Sequence, residues 1–118
     1  GHARGMARVT VPVKRVNRFE VTTYNTLTVV AGDVLDGMRM PNDGSTLLYI
    51  DNGSGLDQTI DIYIVETVDF YPVPTATIAI PAASTVNLIG PFPTGIYGNV
   101  LEFDVSSTLM DFGGFSLL

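Results

Sequence analysis

Cysteine and tryptophan are absent from this chain, and its single histidine is His2. Without cysteine there is no disulfide framework and no thiolate zinc site. His2, in Gly1-His2 ahead of Met6, reads as the remnant of an expression tag, so residues 1–5 are set apart from the fold. The body that follows contains no histidine. A Ser-His-Asp or Cys-His nucleophile, a histidine general base and a histidine-ligated zinc are thereby excluded from it, while carboxylates and tyrosines remain available. Long apolar runs are lacking as well. None approaches the roughly 18 residues of a membrane-spanning helix, and no membrane partner is expected.

Positive charge is the next scarcity. The chain has 6 Lys and Arg against 12 Asp and Glu, a net charge of −6. Arg4, Arg8, Lys14, Arg15 and Arg18 all precede the first acid, and Arg39 is the lone base after them. A basic N-terminal segment thus leads into an acidic body, and the two are electrostatically complementary. Such a segment suits docking onto an acidic surface, either a neighbouring copy or a larger assembly. Nucleic-acid binding by the acidic body is disfavoured.

What is present is a series of short alternating runs. Val9, Val11 and Val13 share one face of an extended segment that Pro12 confines to a sheet edge. Residues 6–18 read as an extended basic arm, which at full stretch reaches roughly 60 Å and can cross to another subunit. Residues 19–24 and 26–31 read as strands, with Leu27, Val29 and Ala31 on one face. The Gly, Asp, Asn and Pro of residues 32–44 mark loops, including Met38-Arg39-Met40. A strand at 46–51 ends in the turn Asn52-Gly53-Ser54-Gly55. Ile60, Ile62 and Ile64 then alternate with Asp61 and Tyr63, which is antiparallel-sheet behaviour with one wet face. Ala76, Ile78 and Ile80 follow, then Val86 and Leu88. Leu101, Phe103 and Val105 alternate with Glu102 and Asp104, and the apolar tail, broken by Gly113-Gly114, can supply a last strand.

Between the last two internal runs lies Gly90-Pro91-Phe92-Pro93. Two prolines without donor N–H groups bar any ladder or helix there and hold Phe92 rigidly between them. Phe92 is either a plug for one end of the core or a contact offered to a partner, with the plug as the commoner use of such a ring.

Eight or nine short strands, turn signals every eight to twelve residues and no helical periodicity predict an all-β fold. The expected architecture is an antiparallel β-sandwich, jelly-roll-like, with residues 19–118 as its single domain and the extended N-terminal arm attached.

Three constellations bear on chemistry. Glu102 and Asp104 lie about 6.6 Å apart along one strand, near the spacing of an inverting glycosidase pair, although half-exposed strands commonly carry two such acids. Asp33, Asp36, Asp43, Asp51 and Asn52 sit in glycine-rich loops that could offer oxygens to calcium. Their order does not fit an EF-hand loop, and turn formation explains them more simply. Tyr63, Phe70, Tyr71 and Tyr97 could form a sugar-stacking platform, which makes a carbohydrate-binding or host-recognition module the alternative reading.

The order of motifs resembles a known group. Asp33-Val34-x-x-Gly37, Asn42-Asp43-Gly44-x-Thr46-x-Leu48, Asp51-Asn52-Gly53 and Ile89-Gly90-Pro91-Phe92-Pro93, followed by Tyr97 and a strand reaching Ser106, is similar to small structural proteins encoded in the head modules of tailed bacteriophages. The resemblance implies a non-enzymatic decoration or auxiliary capsid protein. Such a protein binds the outside of the capsid lattice through the major capsid protein, often as a trimer, and so resides on the virion exterior. It carries over no catalytic residue, metal or cofactor. The residues expected to serve assembly are Arg8, Val9, Val11, Val13, Lys14, Arg15 and Arg18 in the arm, with Phe92 and Tyr97 at the corner.

Overall fold

The computed structural model describes residues 8–15, 28–64, 75–82 and 87–116. The expected strand at 19–24, the connection at 67–74, Arg18, Phe70 and Tyr71 lie outside them. In chain order the elements are β1 (Val9–Thr10), β2 (Val13–Arg15), β3 (Val30–Ala31), β4 (Met38–Pro41), β5 (Thr46–Asn52), β6 (Gln58–Tyr63), β7 (Thr75–Ile80), β8 (Asn87–Ile89), α1 (Thr94–Tyr97), β9 (Val100–Val105) and β10 (Met110–Ser116). They build two sheets, ordered β1-β4-β9-β6-β7 and β2-β10-β5-β8, with β3 also paired to β10. The all-β sandwich expected from the alternation is present.

Period-2 patterning explains the core. Met38, Met40, Ile60, Ile62, Leu101, Phe103 and Val105 turn inward from the first sheet, and Leu48, Ile50, Met110 and Phe112 meet them from the second. Phe103 and Phe112 touch across the two layers with ring centroids 5.3 Å apart.

The N-terminal segment departs from expectation. Residues 8–15 run extended, but they belong to the sandwich and are not a free arm. Val9–Thr10 pairs in parallel with Met38–Arg39 in the first sheet. Three residues later Val13–Arg15 pairs in parallel with Gly114–Ser116 in the second. The sandwich is therefore mixed, not purely antiparallel. Pro12 marks the crossing from one sheet to the other, and Val11 beside it is completely buried. Gly114 makes the close approach possible. A β-carbon there would lie 2.7 Å from the Met40 sulfur and 3.1 Å from Val13 Cγ2, and its N–H donates to Pro12 O at 3.1 Å. Alternating valines are thus buried as a bridge between layers, because both sheets offer unpaired edge backbone where the segment passes.

Other corrections follow from pairing. Residues 38–41, read as loop, form β4, with Met38 and Met40 inside and Arg39 and Pro41 outside. At β3 it is Val30 that packs on the core, while Val29 and Ala31 face solvent. Residues 87–89 likewise turn Asn87 and Ile89 inward and leave Leu88 exposed, fixed by the register Leu48↔Ile89 and Ile50↔Asn87. Gly113-Gly114 does not break the tail. It lies within β10, which pairs along its whole length with β5.

Because residues 8–15 supply two strands and a fully buried valine, a chain lacking residues 1–15 is expected to lose cooperative unfolding. Thermal melting followed by near-ultraviolet circular dichroism checks this; a sharp, native-like transition would show the bridge to be dispensable.

Candidate functional site

Arg8 is the most heavily engaged side chain of the N-terminal segment, and it is buried. Its Nη1 donates to Phe103 O at 3.0 Å, Met38 O at 3.3 Å and Asp104 Oδ1 at 3.1 Å. The guanidinium lies over the Tyr63 ring, 5.1 Å from its centroid, and the Tyr63 hydroxyl donates to Asp104 Oδ2. Nε sits 3.4 Å from Glu102 Oε2 without making a hydrogen bond. Gly37 leaves room for this group. At φ +80°, its missing β-carbon would fall 2.3 Å from Arg8 Nη1 and 2.6 Å from Asp104 Oδ1.

This arrangement accounts for the carboxylate pair on β9. Glu102 and Asp104 share a face by strand alternation, and both turn toward one guanidinium. Asp104 accepts from Arg8 with one oxygen and from Tyr63 with the other, which ties its carboxylate into the fold.

The residues expected at an assembly surface therefore divide. Arg8 and Val11 are buried, and Val9 and Val13 pack against the core. Lys14 and Arg15 are exposed on β2. Phe92 is 4 % exposed and meets Tyr97 edge-on at 5.4 Å, so it plugs the core. The corner is held by Asn42, whose Nδ2 donates to Phe92 O and Gly98 O, both at 2.9 Å. Of the expected residues that are described, Lys14 and Arg15 are the charged ones left exposed, and Arg18 lies outside the described residues.

The calcium candidates are not brought together. Asp33 Oδ1 accepts from the N–H groups of Leu35 and Asp36 in its own turn. Asn52 donates to the carbonyls of Leu56, Ile80 and Pro81. Asp43 belongs to the opposite end of the sandwich, beside the Thr46–Ser116 pair. Among the described residues no three His, Cys, Asp or Glu side chains are placed to hold a metal ion. Tyr63 and Tyr97 are engaged separately, the first with Arg8 and Asp104, the second with Phe92.

Near Asp43 a cleft of about 360 Å³ opens where the chain crosses between sheets, lined by Val11, Pro12, Val13, Arg15, Pro41 and Asn99 among others. Asp43 stands at its rim. The Ser116 hydroxyl donates to Asp43 Oδ2 at 2.6 Å, and the Ser45 N–H and Thr46 hydroxyl donate to Oδ1 at 2.8 and 2.9 Å. These bonds, Ser116 first, hold the carboxyl below its ordinary value.

At the other end three loops converge. Gly53 N–H donates to Leu109 O at 3.1 Å, Gly32 N–H to Met110 O at 2.9 Å, and Ser106 N–H to Thr59 O at 3.1 Å. Their tips carry Leu35, Leu56 and Leu109, which are 81 %, 67 % and 61 % exposed, with Val34 at 45 %. Sequence reasoning passed over this apolar tip. Its signal was large aliphatic residues set inside Gly-, Asp- and Ser-rich turns, where polar side chains are the norm.

Two outcomes test the site. Arg8→Met, which leaves Asp104 without its buried partner, is expected to lower unfolding free energy by about 3 kcal/mol. Glu102→Gln, at a half-exposed carboxylate, should change it by less than about 1 kcal/mol, both read by denaturant titration. For Asp43, the depressed folded pKa contributes stability above the unfolded value near 3.9, lost as pH falls through the lower folded value. The melting temperatures of wild type and Asp43→Asn should therefore differ by a constant gap between pH 7 and 5 and converge below about pH 4; an unchanged gap at acid pH would contradict the assigned hydrogen bonds. No family model matches the chain, and no curated protein or solved structure matches it.

Proposed function

We propose that the chain is a non-enzymatic structural protein of a tailed-phage virion, a decoration module that binds the outside of the capsid lattice through the major capsid protein and does so as a homo-oligomer, a trimer being favoured. One observation carries this reading. Arg8 is consumed inside the fold, so among the described residues Lys14 and Arg15 on β2 remain as an exposed basic pair, with Arg39 on β4 the one other exposed base on a body rich in acids. A short strand at the end of the described sheet that carries two exposed cations suits addition to an acidic neighbouring surface. The motif order from Asp33 to Ser106 supports the same reading. It includes the Asn42 and Phe92 positions that tie the corner together. Carboxylates on β9 that are turned onto a structural arginine agree with a binding role.

Co-sedimentation with empty capsid shells is the test. Wild-type protein should sediment with the shells and come off as salt is raised, since exposed charges are screened within about 10 Å at 0.1 M. Lys14→Glu/Arg15→Glu should bind at least tenfold more weakly without a lower melting temperature. Equal binding by the two would remove the basic edge from the mechanism, and no binding by either would remove the capsid.

A further inference from the structure

The two ends of the sandwich are unlike each other in a complementary way. At one end the loops 32–37, 53–57 and 106–109 present Leu35, Leu56, Leu109 and Val34; the same loops carry Asp33, Asp36 and Asp57 and no lysine or arginine. Asp51 and Asp111 face each other across β5 and β10 close by, which adds to the negative potential there. At the other end lies the cleft beside β2, walled by the apolar Val11, Pro12, Val13 and Pro41 and edged by Arg15. Lys14 is its neighbour on the strand. Asp43 also stands on the rim, but its oxygens already accept from Ser116, Ser45 and Thr46.

Strand direction places these features at opposite ends. Asn52 pairs with Met110 at the leucine end, and Thr46 pairs with Ser116 at the cleft end, with the full seven residues of β5 between them. Both features are also exposed for a physical reason. Three solvent-facing leucines on adjacent turns are unfavourable for an isolated molecule, and an apolar cleft edged by a cation is their match in shape and charge. An enclosed apolar cavity of about 150 Å³ holds a benzene molecule, so 360 Å³ has room for more than one leucine side chain.

We propose that copies of this chain associate head to tail, the leucine tip of one copy seated in the β2 cleft of the next, with Asp36 meeting Arg15 at the rim. Because the two surfaces differ, the contact is heterologous. It closes into a ring where the rotation between copies allows and otherwise continues as a chain. The proposal assigns surfaces to the self-association in that reading and does not depend on attachment to a capsid. The contact is small, a handful of side chains from each copy, and belongs to the weak, concentration-dependent class.

Complementation in the free full-length protein tests it. Sedimentation velocity at up to about 1 mM protein should show wild type growing in mass with concentration. A tip variant, Leu35→Asp/Leu109→Asp, and a cleft variant, Arg15→Glu/Asn99→Trp, should each remain monomeric with melting temperatures near wild type, since all four positions are exposed. Mixed together, they retain one intact tip and one intact cleft, and should form a dimer and nothing larger. A monomeric wild type, a tip variant that still assembles, or a mixture that stays monomeric would each overturn the proposal. The capsid reading is scored separately, because a monomeric tip variant that still sediments with shells retains lattice binding without self-association.

Discussion

The burial of the Arg8 guanidinium against the outer face of the first sheet is the constraint on which the arrangement of the N-terminal segment depends. A charge removed from water needs partners on every side, and here they come from separated parts of the chain. The carbonyls of Met38 and Phe103 accept from it, Asp104 neutralises it, and Tyr63 lies beneath it. Gly37 is required at the same spot because any side chain there would occupy the guanidinium's volume. One interaction thus registers β1 against β4 and β9 and ties in β6.

With Arg8 anchored, the next seven residues have little freedom. Val9 enters the first sheet, Val11 fills the space between layers, and Val13 enters the second, over Gly114. The segment closes the sandwich along one side, as a strap would, and its parallel pairings are the reason the sheets are mixed. The tail strand β10 gains by this arrangement. One edge is covered by β5, and the other is shared between β3 and β2.

Among the described residues Lys14 and Arg15 are exposed at the cleft end, and the three most exposed aliphatic side chains, Leu35, Leu56 and Leu109, stand in acid-bearing loops at the other end, while Ile96 and Val100 are less exposed near the cleft end. Such a division favours ordered contact with neighbours over diffuse association, because the attractive pairing has a direction and the like-with-like pairings repel. That property is what the proposed attachment to a lattice protein and the proposed contact between copies both draw on.

Much of this could be read from residue order. Alternation at 60–62, 76–80 and 101–105 specified strands and their buried faces, since a period of 2 puts every second residue on one side whatever lies opposite. Pro91 and Pro93 specified the corner, and a chain with no cysteine and no histidine beyond His2 has no residues for thiolate or histidine-based chemistry in its body. Pairing decided the rest. Val9, Val11 and Val13 carry the same pattern whether they reach outward to another subunit or bridge two sheets. Only the free edges of β4 and β10, built from residues far along the chain, settle which. Arg8 looked like one of several solvent-facing bases because its acceptors lie 30 and nearly 100 residues away. The inward faces at Val30 and Asn87 depended on register with β10 and β5, and the leucine tip exists only because distant loops meet at one end. Local chemistry determined which segments could be strands and where they must turn; long-range backbone pairing and the desolvation of a single arginine determined which surfaces were buried and which were left exposed.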